Sequence, residues 1–252
     1  MRFTPELRRL DWLVARPIAH RGLHDKAEGV LENTAAAFAE AVDHGYAIEC
    51  DLQLSRDGEA MIFHDDTLER LTDATGPVIA RPASELQKVA FKNSPARMQT
   101  LAEMLDQVAG RATLVIEIKS LWNGDNRLAD RALSVLETYE GPCALMSFDP
   151  DIIAHVRERS PLTVRGIVAD RTTDAYYAHL PLERRLELRS LSHADRTRPH
   201  FVSFCAAELP FEPVTRLRAA GLPIISWTIR TREQARHARR YSDQITFEGF
   251  AA

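Results

Sequence analysis

The chain has 252 residues, 45% of them apolar and 27% charged, which suits one soluble α/β domain large enough to bury a full core without disulfide staples. Its net charge of −4 and mostly scattered arginines give no basis for binding nucleic acid or an anionic membrane surface. The N-terminus lacks a continuous apolar run, no stretch is long enough to span a membrane, and Cys50, Cys143 and Cys205 share no metal-type spacing; the expected setting is the cytoplasm, with free thiols.

Along the chain, short β-rich runs alternate with amphipathic helical runs. Strands are expected at 17–22, 47–51, 113–119, 143–148, 163–168, 201–205, 223–229 and 244–248. Helices fit 34–44, 100–109, 127–139, 150–159, 182–190, 212–220 and 231–241. Eight strands joined mostly by helices in this length predict a (β/α)8 TIM-type barrel, a single catalytic domain over 1–252. The chain stops four residues after the eighth strand, so residues 4–14, with Leu7, Leu10 and Val14 on one face, are expected to cover that side as an N-terminal helix.

Residues 52–99, between the second strand and its helix, are too long for a plain loop and read as an insertion of a hairpin plus a small helical segment. Asp57-Gly58 reads as a two-residue hairpin turn, which pairs Leu54 with Met61, Leu52 with Phe63, and Asp51 with His64. That register returns His64 to the end of the second strand and leaves Leu52, Leu54, Met61 and Phe63 on an apolar face.

Three consecutive strands then end in ionisable residues at the rim where barrel enzymes carry their sites: His20 and Arg21, Glu49 and Asp51, Glu117 and Lys119. Glu49, Asp51 and Glu117 would repel one another unless a cation or Lys119 sat among them, and an all-oxygen set suits one hard divalent ion, Mg²⁺ or Ca²⁺. Two histidines, such an ion and the cations Arg21 and Lys119 suit phosphoryl chemistry: His20 and His64 can share the general acid and base roles while the positive groups neutralise phosphate charge. Asn33 or Thr34 caps the helix from 34, and Glu32 beside them is read as a supporting acid. His24 is expected as an exposed loop histidine.

The motifs "AHRG", "ENTAAAF", "GYAIECDLQLSRDGEAMIFHDDTLERLT" and "IEIK", in this order, resemble those of glycerophosphodiester phosphodiesterases, with "SF" and "SWTI" matching later family strands. The resemblance is dense over 17–119 and looser beyond. It implies a TIM barrel with a small insertion after the second strand, a divalent metal at Glu49, Asp51 and Glu117, His20 and His64 as acid and base, Arg21 and Lys119 on the phosphate, and Trp227 at the pocket wall. It also implies a small-molecule phosphodiester substrate cleaved to an alcohol and glycerol 3-phosphate. The chain departs from the family near the last strand, where "DQITFEGF" replaces the usual aspartate and proline turn, so that either Glu248 takes the acidic role or the position is unused, and Arg230 stands where asparagine is common. A lysophospholipid substrate, with Leu86, Val89 and Phe91 lining an apolar channel, and a non-catalytic binding barrel are the competing readings.

Overall fold

The computed structural model describes residues 10–173 and 175–252. In chain order the elements are α1 (Asp11–Val14), β1 (Ile18–Ala19), α2 (Ala35–Asp43), β2 (Ala47–Leu54), β3 (Ala60–Ile62), α3 (Ala83–Leu86), α4 (Leu101–Val108), β4 (Leu114–Ile118), α5 (Arg127–Leu136) and β5 (Cys143–Ser147). There follow α6 (Pro150–Arg159), β6 (Arg165–Ala169), α7 (Leu182–Ser190), α8 (Ala194–Thr197), β7 (Phe201–Cys205), α9 (Glu212–Ala219), β8 (Ile224–Ile229), α10 (Arg232–Ala238) and β9 (Gln244–Phe247). All strands but β3 are parallel, and Ile18 of β1 pairs with both Ala47 of β2 and Thr246 of β9, which closes an eight-stranded TIM barrel. No helix among the described residues is long and apolar enough to cross a membrane.

Side chains alternate along each strand, and this period of two sets the site. On β2, Ile48, Cys50 and Leu52 pack outward against the helices, whereas Ala47 lies in the barrel interior with Ile18, Val115, Met146, Val168 and Ile225. Glu49 and Asp51 therefore share the interior face, above the apolar plug. On β4 the same alternation turns Glu117 inward, and Glu117 is the register partner of Asp51.

Residues 4–9 of the expected N-terminal helix lie outside the described residues, and the described part corrects its expected place. Leu10 and Leu13 join the interior apolar cluster, while the Trp12 carbonyl accepts from Thr113 Oγ1 and the Val14 carbonyl from Gln244 Nε2. So α1 stoppers the N-terminal end of the barrel rather than its side. Leu13, not Val14, is the buried anchor. Tyr46 and Phe250 cover the outer face of β9 instead, with Phe247 between them at centroid distances of 4.8 and 5.5 Å.

The hairpin register is also corrected, by one residue: Leu52 pairs with Ile62, Gln53 with Met61 and Leu54 with Ala60. The turn is a three-residue one. Ser55 N donates to the Glu59 carbonyl, Gly58 N to the Ser55 carbonyl, and Gly58 takes the left-handed conformation at φ 88°. Ser55 Oγ fixes it by donating to Asp57 Oδ1 at 2.6 Å and accepting from Glu59 N at 2.8 Å. Leu52, Leu54, Ala60 and Ile62 consequently face the barrel–helix layer, and Met61 and Phe63 face a separate small core with Leu68, Val78, Leu86 and Phe91. Because β1 pairs only with Ala47 and Ile48, the upper half of β2 has an edge free for β3, which extends β2 three residues past its expected end.

Gly22, in the turn after β1, sits at φ 79°, and a Cβ there would lie 2.8 Å from the Ala37 backbone carbon of α2. Gly22→Ala is expected to cost about 2 kcal/mol or more, from the unfavourable φ and the overpacked contact, read as a lower urea midpoint.

Candidate active site

The C-terminal ends of the strands open into a cavity of about 660 Å³. His20, Arg21, Glu49, Asp51, His64, Glu117, Lys119 and Trp227 all line it, so the structure brings together eight of the nine residues singled out in the sequence. Glu32, the ninth, stands behind Arg21 and takes its Nη1 at 2.6 Å.

The three inward carboxylates are 2%, 1% and 6% exposed for Glu49, Asp51 and Glu117, and each offers an oxygen within 4.8 Å of the others. Burial, reinforced by repulsion from Asp51 and Glu117, pushes the Glu49 carboxyl well above its usual range. Burial likewise raises Glu117, opposed by Lys119, whose Nζ lies 2.7 Å from Glu117 Oε1 and 2.8 Å from Asp51 Oδ1. Burial works against Asp51 too, yet Lys119, His64 and Arg21 hold it well below the usual carboxylate range. The three acids are therefore crowded by electrostatics that one lysine only partly relieves.

The turn after β1 places the next groups. Arg21 and Gly22 both adopt positive φ, which points the Arg21 amide at Glu49 Oε2 (2.9 Å). Arg21 Nε is buried and makes no hydrogen bond among the described residues, although Asp51 Oδ2 lies 3.4 Å away. Thr34 caps α2, accepting from Ala37 N. Asn33, read in the sequence only as a possible cap, instead holds Asp51 through Nδ2 to Oδ2 at 2.8 Å and Oδ1 from the Asp51 amide at 3.3 Å.

Each histidine is anchored by a carboxylate at Nδ1. Glu248 Oε2 lies 2.5 Å from His20 Nδ1, and Asp65 Oδ1 lies 2.7 Å from His64 Nδ1. The hydrogen bond to His20 comes first in drawing the Glu248 carboxyl down, and burial comes first in lowering His20 itself. Further ion pairs brace both acids. Arg230 Nε meets Glu248 Oε1 at 2.8 Å. Arg70 spans Asp65 and Glu32, and with Arg21 holds Glu32 down to about 2 against the opposing effect of burial. A continuous chain thus runs Arg21–Glu32–Arg70–Asp65–His64.

Sequence reasoning missed Asp65 and Arg70 and left the role of Glu248 open. The adjacency of Asp65 to His64 was the one local signal available. His64 reaches the mouth even though it is not opposite Asp51 in the ladder. The chain leaves β3 after Ile62, and the His64 carbonyl is caught by Gln53 Nε2 at 3.0 Å. His24 is also corrected: it is only 20% exposed, with Nε2 3.7 Å from Glu248 Oε2. Trp227 stands at the wall with Nε1 on the Ser203 carbonyl at 3.0 Å. Leu86 and Phe91 are buried in the insertion's own core and line no channel from the rim.

The sequence pattern of the glycerophosphoryl diester phosphodiesterase family matches residues 20–243. A glycerophosphodiester phosphodiesterase of Caldanaerobacter subterraneus is 32% identical over 60% of this chain and 65% of its own length. Glycerophosphodiester phosphodiesterase 1 of Bos taurus is 27% identical over 74% of this chain and 54% of its own. The chain thus spans less than two thirds of either relative. Among solved structures, an Oleispira antarctica phosphodiesterase in complex with the product sn-glycerol-3-phosphate superposes with a TM-score of 0.78 over 94% of both chains at 22% identity. The glycerophosphodiester phosphodiesterase of Thermotoga maritima gives 0.69 over 91% of this chain and 92% of its own at 26% identity.

Proposed function

The chain belongs to the glycerophosphoryl diester phosphodiesterase family, and on that premise we propose that it hydrolyses glycerophosphodiesters to an alcohol and sn-glycerol 3-phosphate. The observation that carries the reading is the pair of imidazoles, His20 and His64, lining one mouth with the acidic triad and each anchored at Nδ1 by its own carboxylate. With Nδ1–H donated to Glu248 or Asp65, Nε2 is the atom left to take up or return a proton at the substrate. One imidazole removes the proton of the attacking hydroxyl, and the other protonates the departing alkoxide. The product bound to the Oleispira phosphodiesterase and the names of the curated relatives point the same way.

Glu49, Asp51 and Glu117 fit a divalent cation: three buried oxygen donors lie within 4.8 Å, and their crowding is relieved by positive charge. Oxygen-only donors favour Mg²⁺ or Ca²⁺ over a thiophilic metal. When bound, such an ion draws charge from the nonbridging phosphate oxygens as the transition state forms. The Arg21 guanidinium and the Lys119 ammonium, both in the cavity lining, add positive charge for the same oxygens, and Trp227 walls the glycerol end. Residues 1–252 act as one catalytic barrel in which the 52–99 insertion delivers His64 and Asp65. The free thiols support a cytoplasmic setting.

A coupled assay for glycerol 3-phosphate tests the reading. Glycerophosphocholine and glycerophosphoethanolamine are expected to yield product with Mg²⁺, Ca²⁺ or Mn²⁺ and none with EDTA. Absence of product from any glycerophosphodiester, whatever the ion, overturns it.

A further inference from the structure

Beside the mouth lies a second cavity of about 550 Å³ that shares His64, Glu117, Lys119 and Phe148 with it. Its wall is aromatic. Phe148 and Tyr176 lie 6.4 Å apart between ring centroids, and Tyr176 meets Tyr177 edge to face at 5.0 Å. Trp122 steadies Tyr176 by donating Nε1 to its hydroxyl at 3.2 Å, and Tyr176 still presents 51% of its surface.

The same cavity is lined by the carboxylates of Asp66 and Asp170. Gln53 Nε2 donates to Asp66 at 3.0 Å, and the Tyr177 hydroxyl and Thr172 amide donate to Asp170 at 3.0 and 2.6 Å. Asp65, also in the lining, is engaged by His64 and Arg70. The opposite end of the mouth differs in character, with Arg230, Gln234, His237 and Ser203 offering hydrogen bonds and a positive charge.

Resting on the phosphodiesterase reading, we propose that this second cavity receives the departing alcohol and is built for a cationic, ammonium-bearing head group. An ammonium is drawn to aromatic faces by the ring quadrupole, and a methylated one, which donates no hydrogen bond, is better served by rings than by polar side chains. Asp66 and Asp170 supply the opposite charge at the solvent side. A neutral polyol head group gains from neither feature. Because His64 and Phe148 line both cavities, a head group in the second lies next to the scissile bond of a glycerol phosphate held in the first.

The test compares kcat/KM for glycerophosphocholine with that for glycerophosphoglycerol, whose head group is uncharged. The wild-type ratio is expected to favour glycerophosphocholine by about tenfold, and Tyr176→Ala and Asp170→Asn are each expected to reduce that ratio about fivefold. A parallel titration of the intact protein with choline, followed by tryptophan fluorescence, is expected to saturate, whereas 3,3-dimethylbutanol, the uncharged isostere, binds at least about fivefold more weakly. Hydrolysis of both substrates with a ratio near one, or a ratio unmoved in both variants, overturns the head-group assignment while leaving the phosphodiesterase reading intact. If neither substrate is cleaved, the phosphodiesterase reading falls, and the choline titration alone decides whether the cavity binds a cation.

Discussion

His20→Ala and His64→Ala are each expected to lower kcat by about 10²–10⁴-fold, the usual contribution of a positioned acid or base. The size follows from the arrangement on the two sides of the mouth. Each imidazole is fixed at Nδ1 by a carboxylate that is itself braced, Glu248 by Arg230 and Asp65 by Arg70. An alanine removes the proton-transfer atom and leaves its anchoring acid held by the bracing arginine alone, so the loss is that of the proton transfer itself. Glu248→Gln and Asp65→Asn keep the shape and remove the charge; each is expected to lower kcat by about 10–10²-fold with KM changed much less. The double variant Glu248→Gln, His20→Ala is expected to be no slower than His20→Ala alone, because Glu248 acts through His20. Steady-state kinetics with thermal melts to establish folding decide these points. Wild-type turnover in either alanine variant removes that histidine from the chemistry.

What could be read in the sequence and what could not divide along one physical line. The barrel and its inward acids follow from local periodicity: alternation along 47–51 and 113–119 places Glu49, Asp51 and Glu117 on one face, and β2 and β4 keep it. The partners of those residues arise from contacts between distant segments. His20 and Glu248 are 228 positions apart, and Glu32 and Arg70 are 38 apart, with no periodicity to announce either pair. Asn33 was explicable as a cap, and its grip on Asp51 became apparent only when α2 and β2 were placed side by side. The hairpin register failed for a smaller reason. Asp-Gly satisfies a two-residue turn and a three-residue turn equally, and the choice fell to Ser55, whose hydroxyl ties Asp57 and Glu59 into the longer loop. One residue of slip exchanged the faces of Met61 and Phe63, yet His64 lay beyond the ladder and escaped the exchange.

Glu49→Gln is expected to separate the stability of this site from its activity. The amide keeps an oxygen to accept from the Arg21 backbone at the present 2.9 Å, so the turn after β1 is preserved. It removes one of three buried charges that repel one another, so in EDTA the variant is expected to melt at a higher temperature than the wild type. Adding Ca²⁺ or Mg²⁺ reverses the order. At a concentration a hundredfold above Kd, the wild type gains about 3 kcal/mol from binding, and the variant, lacking the third carboxylate, gains little. Turnover of the variant is expected to fall by about 10³-fold, because a phosphate approaching Asp51 and Glu117 then meets carboxylates compensated by Lys119 and Arg21 alone. Calorimetry, melting curves with and without the ion, and the glycerol 3-phosphate assay read the three effects. If the variant melts no higher than the wild type in EDTA and is stabilised equally by the ion, Glu49 is an ordinary buried acid satisfied by Arg21, and the cation must be sought elsewhere.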